Sequence, residues 1–197
     1  MRFLVFLRGV NVGGRTLHTA ALAKELETLD VVSIGAAGTY AVRSGAAASA
    51  VRAAFVDRIP FPTEVMVVPV TAAEKILGQR PFGPGPRPAG ERWAVTVVAG
   101  LTDPPPPLPL VRPANGPWEV RLESFAPPFV LSRSRRLSPT RILYPNVVVE
   151  KEFRRPATTR WWETLEDVVA AARASDTAPS AARTRTKRSP DPRGTGR

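Results

Sequence analysis

Apolar positions in the first seventy residues fall into two alternating periods. Phe3-Leu4-Val5-Phe6-Leu7 is a continuous apolar run that meets a Gly-rich segment, the pattern of a buried strand over residues 2–8 emptying into a turn. Leu22, Leu26 and Leu29 then fall at i, i+4 and i+7 behind Thr19, so the spacing predicts an amphipathic helix capped by Thr19 and ending near Asp30. Val31-Val32-Ser33-Ile34 and Thr39-Tyr40-Ala41-Val42 predict two strands about a turn from Gly35 to Gly38. Ser44 is placed to cap a second helix with Ala47, Val51, Ala54 and Phe55 on one face. Pro60 and Pro62 end it, and Glu64 to Val68 is a β-branched run. The order β-α-β-β-α-β is the ferredoxin-like arrangement. Thr71-Ala72-Ala73-Glu74 has capping-box spacing and opens a short helix through Leu77, with Gly78 placed to terminate it.

The second half begins after an irregular connection over residues 79–91. Trp93, Val95 and Val97 alternate with Ala94, Thr96 and Val98, as in a strand. Residues 102–117 include Pro104-Pro105-Pro106-Pro107, which forbids an amphipathic helix. Trp118, Val120 and Leu122 predict a half-buried strand, and Phe129-Val130-Leu131 its hairpin partner across Ala126-Pro127-Pro128. A helix is expected over 146–153, one strand over Ala157-Thr158-Thr159-Arg160, and a closing helix on the stripe Trp161/Trp162, Leu165, Val168/Val169 and Ala172. The expected fold is therefore α+β. It has two ferredoxin-like plait subdomains, the second with its first crossover degraded to a Pro-rich loop. They fall at 1–78 (with a trailing helix) and 79–174, and a disordered basic tail is expected over 175–197.

Composition narrows the chemistry. At 197 residues and 43% apolar, the chain can build a real core. No window approaches the roughly 18 apolar residues of a membrane span, and the five-residue apolar run at the front lacks the form of a signal peptide. With no cysteine there are no disulfides, thiolate metal sites or cysteine nucleophiles, which fits a cytoplasmic setting. His18 is the single histidine, so any histidine chemistry must be built around it. Neither a metal nor an organic cofactor is expected. The net charge of +11 divides into +4 after residue 174 and +7 before it, and favours polyanionic partners.

Arg8-Gly9-Val10-Asn11-Val12-Gly13-Gly14-Arg15 is the chief candidate site. Its amides and arginines suit a phosphate-bearing anion, yet G-x-G-x-x-G and the Walker lysine are absent. The alternative is a turn in which Asn11 bonds its own backbone and the glycines supply positive φ. Thr158, Thr159, Arg160 and Trp162 form a second polar group, either a rim joining the first loop around a ligand or a helix cap with Arg160 paired to Glu163 or Glu150. One of Trp161 and Trp162 must leave the core. Arg133, Arg135, Arg136 and Arg141 follow a strand edge, as a phosphate-tracking surface or a solvated face. Glu150 and Glu152 stand at i, i+2 and do not share a helix face.

Leu7-Arg8-Gly9-Val10-Asn11-Val12-Gly13-Gly14-Arg15 resembles the opening motif of a bacterial family known as domain of unknown function 1697. Thr140-Arg141, Asn146, Glu150-Lys151, Pro156-Ala157-Thr158-Thr159-Arg160 and Trp162 agree at matching distance, so the resemblance spans about residues 1–172. It implies two small packed α/β plait-like subdomains and no established activity. The chain departs from the family at Ala36-Ala37-Gly38-Thr39, where Gln-Ser-Gly-Asn is usual, and at Arg141-Ile142-Leu143-Tyr144, where Arg-Ser-Lys-Leu is usual. Its proline run also replaces the helix after the fifth strand. The first departure puts any activity that uses that turn's side chains in doubt.

The functional expectation is a binding protein for a phosphate-bearing ligand, a nucleotide or nucleic acid. The anion-binding set is Arg8, Asn11, Gly13, Gly14, Arg15, Arg141, Thr159 and Arg160. Two alternatives stay open. One is an enzyme working through Arg, Asn, Thr and backbone amides. The other is a structural protein whose motifs only specify the fold.

Overall fold

The structure, a computed structural model, describes residues 1–100, 104–140 and 142–174. Arg141 and the 175–197 segment expected to be disordered lie outside the described residues. The chain is a mixed α+β protein with two antiparallel sheets and, among the described residues, five α-helices.

The first sheet takes β1 (Phe3–Leu7), β2 (Val31–Ser33), β3 (Thr39–Val42) and β4 (Val65–Pro69) in the order β2-β3-β1-β4. β1 is apolar at every position because both of its faces are covered. Phe3, Val5 and Leu7 point into a core with α1 (Thr19–Glu25) and α2 (Ala48–Arg58), where Leu22, Val51 and Phe55 meet them. Leu4 and Phe6 point the other way, into a core shared with the second half.

The second sheet takes β5 (Glu91–Val98), β6 (Leu110–Arg112), β7 (Val120–Ala126), β8 (Phe129–Arg135) and β9 (Ala157–Trp161) in the order β6-β7-β8-β5-β9. Apart from β6 at the edge, its strand order repeats that of the first sheet. Val98, Val120, Leu122 and Val130 pack under α4 (Pro145–Phe153) through Val148, Val149 and Phe153. On the opposite face Val95, Val97, Phe129 and Leu131 join the shared core with Ile76 of α3 (Val70–Gly78) and Leu165, Val168 and Val169 of α5 (Trp162–Arg173). Cross-sheet burial through α3 and α5 thus fixes the two halves against each other.

Three expected helix starts differ. Thr19 does not cap α1: His18 takes that position without a side-chain bond, and Thr19 Oγ1 donates to Gly35 O at 3.0 Å. The helix also breaks at Leu26 into a 3-10 turn, because Asp30 must adopt φ 50° for β2 to start at once. Ser44 lies three residues too early to cap α2, whose N-cap is Ala47. The Thr71–Glu74 capping box does not form, since β4 runs straight into α3 and Pro69 stands at the N-cap. β6 was not foreseen: it has three residues held between Pro109 and Pro113, too few for a periodic signal.

Candidate functional site

The C-terminal end of β1 leads into Arg8 and then Gly9, whose φ of +68° turns the chain away from the sheet. Beside it lies the β2–β3 turn, which Gly38 brings into close approach. At φ +71°, a Cβ on Gly38 would lie 2.9 Å from both Leu7 Cβ and Val10 Cγ2, so only glycine fits. From the second half, β9 carries Arg160 against both segments.

Arg160 is only 6% exposed, yet it forms no ion pair with any described carboxylate. Its Nε donates to Thr39 Oγ1 at 2.5 Å. Nη1 donates to Thr158 Oγ1 and Thr159 O, both at 2.8 Å. Nη2 faces three carbonyls, Leu7 O at 2.9 Å, Ala37 O at 2.5 Å and Gly38 O at 3.0 Å. The fork therefore bridges the two halves while its charge is balanced only by neutral dipoles. Burial brings the guanidinium down to about 10, against a small opposing pull from Tyr40, so it stays charged at neutral pH. Burial also pushes the Tyr40 hydroxyl above its ordinary value, and the positive charge of Arg160 works against that rise.

A cleft of about 350 Å³ opens here, lined by Arg8, Gly9, Val12, Asn146, Thr158, Thr159 and Arg160 among others. Arg8 is 45% exposed at its rim, with Nε on Glu150 Oε1 at 2.5 Å. The same Oε1 accepts Ala157 N–H at 3.0 Å. Burial pushes the Glu150 carboxyl up, but the Arg8 hydrogen bond, the Ala157 N–H and the Arg8 charge together outweigh it and hold it below the usual range. The same pair raises Arg8, through its hydrogen bond to Glu150 first. A groove of about 380 Å³ along β4 is slightly larger, but there Arg52 and Glu64 face each other at 3.6 Å and no charge is left unbalanced.

Of the expected residues, Arg8, Thr159 and Arg160 come together at this cleft, with Thr158 beside them. Asn11, Gly13, Gly14 and Arg15, the other expected residues of the Gly loop, do not line it. Asn11, at φ 61°, donates to Ala36 O of the β2–β3 turn at 2.7 Å and accepts Leu17 N–H of its own loop at 2.8 Å, so it ties the two segments together. Gly13 and Gly14 take positive φ and have open space around them. Arg15 turns to Pro62 O at 3.3 Å and lies 5.5 Å from the Phe61 ring. Arg160 pairs with neither Glu163 nor Glu150, and the threonines do not cap α5.

Outside the cleft, Trp162 is buried edge-on to Phe82 and Trp161 lies under the Arg92 guanidinium at 3.5 Å. Arg133 pairs with Glu123 at 2.9 Å, and Arg135 stacks on Trp118 at 3.6 Å, so these two fold onto their own sheet. Arg136 binds the carbonyls of Ser138 and Pro139. Glu152 turns from Glu150 to Arg112 at 2.6 Å, and His18 is exposed. Sequence reasoning missed Thr39 and the carbonyls of Leu7, Ala37 and Gly38. Backbone acceptors leave no side-chain signal, and two of these three carbonyls belong to the turn with two alanines. Among the described residues, no helix is long and apolar enough to cross a membrane.

The family model described as protein of unknown function (DUF1697) matches residues 1–124, which include the Gly-loop motif and leave the C-terminal motif beyond the match. In fold the chain is similar to the conserved bacterial protein SP0830 from Streptococcus pneumoniae. That likeness has a TM-score of 0.62 at 18% identity and covers 87% of this chain and 98% of the other. No curated protein matches the chain in sequence. With the model matching well over half of its length, the chain belongs to this conserved family of proteins of unknown function.

Proposed function

We propose that the cleft between β1, the β2–β3 turn, α4 and β9 binds a phosphate-bearing ligand. The observation that carries this reading is Arg160: a buried cation, balanced by neutral oxygens alone, beside the accessible Arg8. With its donors occupied, Arg160 acts on an anion through its field, which is strengthened where water is excluded. Arg8 supplies the direct hydrogen bonds by exchanging Glu150 for the ligand. A volume of about 350 Å³ suits a small phosphate ester better than a nucleic-acid strand. A cytoplasmic setting fits a chain without cysteine. We also read the β1–β4 unit as a ferredoxin-like plait, on its β-α-β-β-α-β order and its strand order. The second unit, from residue 79 on, is then a plait with β6 added and, among the described residues, no helix in its first crossover.

The test is thermal denaturation with inorganic phosphate, sugar phosphates, nucleotides and oligonucleotides at low and high salt. A ligand at a hundred times its Kd should stabilise by about 2.7 kcal/mol, or roughly 5–10 °C for a chain of this size. The effect should shrink in high salt and be lost in Arg8→Ala. No response to any of these ligands at millimolar concentration overturns the proposal.

A further inference from the structure

Among the described residues that line the arginine cleft, Arg8, Asn146, Thr158, Thr159 and Arg160 carry polar side chains. Three of these are committed to protein partners. Thr158 Oγ1 donates to Leu7 O at 3.3 Å and accepts Arg160 Nη1 at 2.8 Å. Thr159 Oγ1 shares a hydrogen bond with Thr96 Oγ1 at 2.7 Å. Arg160 has each of its three nitrogens on protein oxygens. The other two hold donors in reserve. Arg8 uses only Nε, on Glu150. The half-buried Asn146 makes no side-chain hydrogen bond with any described residue. Asn146 stands four residues before Glu150 on α4, so the two share one helix face with their Cβ atoms about 5–6 Å apart. Because Glu150 holds Arg8, that shared face is the one turned toward the cationic rim.

Resting on the reading of the cleft as a phosphate site, we infer that its ligand is a phosphate ester of a polyol, a sugar or glycerol phosphate, with the phosphate at Arg8 and the hydroxyls at the Asn146 amide. The amide oxygen accepts and the amide nitrogen donates, and hydroxyls, which do both, are its complement. One helical turn separates the two subsites, a step that the carbon chain of such an ester crosses. No aromatic ring stands among the described lining residues, so a flat base finds nothing there to stack on. Asn146 is thus the specificity residue of the cleft. An alkyl phosphate reaches Arg8 equally well but leaves the amide unpaired and shut off from water.

The experiment titrates the full chain with inorganic phosphate, n-propyl phosphate and glycerol 3-phosphate, the last two sharing a head and a three-carbon body and differing only in hydroxyls. Each titration is repeated with Asn146→Ala and with Asn146→Leu, which keeps the shape of the side chain without its donors and acceptor. The wild-type protein should bind glycerol 3-phosphate about fivefold to tenfold more tightly than n-propyl phosphate. Both variants should bring glycerol 3-phosphate down to the n-propyl phosphate level and leave inorganic phosphate unchanged. Equal binding of the two esters by the wild-type protein overturns this inference and leaves the phosphate site standing. So does a preference for glycerol 3-phosphate that survives in both variants. Failure of all three probes to bind overturns the phosphate site as well.

Discussion

Replacing Arg160 with methionine keeps a long, flexible side chain in the same space and removes every donor of the fork. Leu7 O, Ala37 O, Gly38 O, Thr159 O and the hydroxyls of Thr39 and Thr158 all lose a partner. They are not left equally bare. Gly38 O still accepts Leu7 N–H at 2.8 Å, and Leu7 O still accepts the Thr158 hydroxyl at 3.3 Å. Ala37 O keeps no donor among the described residues. A bond to a charged donor is worth about 1.5–3 kcal/mol, and a buried acceptor left alone costs about 1–3 kcal/mol. Against this, the variant no longer buries a charge, which returns several kcal/mol. The balance is a loss of about 3 kcal/mol, or roughly 6–12 °C in Tm. Arg160→Lys restores the charge without the planar fork, and one ammonium cannot serve β9, the turn and Thr39 together, so it should lose nearly as much. Urea unfolding followed by tryptophan fluorescence and far-ultraviolet circular dichroism measures both. A methionine variant within about 0.5 kcal/mol of wild type, or a lysine variant fully restored, refutes the clamp.

Four further outcomes are expected. Gly38→Ala forces a Cβ to 2.9 Å from Leu7 and Val10 at a left-handed φ and should destabilise by about 2–4 kcal/mol, visible as an early urea midpoint. Asn11→Ala removes two turn hydrogen bonds and should cost about 1–2 kcal/mol. Arg8→Ala loses one partly exposed ion pair and should change stability by less than about 1 kcal/mol in the same assay. Glu150 has a folded value below its unfolded one, so its contribution is present above the ordinary carboxylate range and is lost as pH falls through the folded value. Glu150→Gln should therefore reduce the stability difference between pH 7 and pH 3, and an unchanged acid slope would assign that slope to other carboxylates.

The fold was legible wherever one pattern decided the local structure. The continuous run at β1, the alternation at β5 and β7, the Pro127-Pro128 hairpin turn and the apolar stripe of α5 each read directly as the elements they form. Helix starts were less legible, because Thr19, Ser44 and Thr71 fit capping patterns locally, while the places where β-strands end dictate where the helices begin. At the cleft, Arg8, Thr159 and Arg160 were readable as polar residues in distinctive surroundings. Elsewhere in the Gly loop the structure shows a fold role for each residue: positive φ at Gly13 and Gly14, a bond from Asn11 to Ala36 O, and Arg15 near the Phe61 ring. What holds Arg160 leaves little sequence signal, since three of its six acceptors are carbonyls brought from more than 120 residues away by the shared core.

The central claim, an anion site at Arg8 and Arg160, is tested most directly by a titration of isotope-labelled protein with ribose 5-phosphate, followed by amide chemical shifts. The account predicts saturable shifts at Arg8, Gly9, Ala157, Thr158 and Thr159, suppressed by salt, with Gly13, Gly14 and the Arg133–Arg136 segment unmoved. Shifts confined to Gly13 and Gly14 or to Arg133–Arg136, or no saturable shift at all, would contradict it.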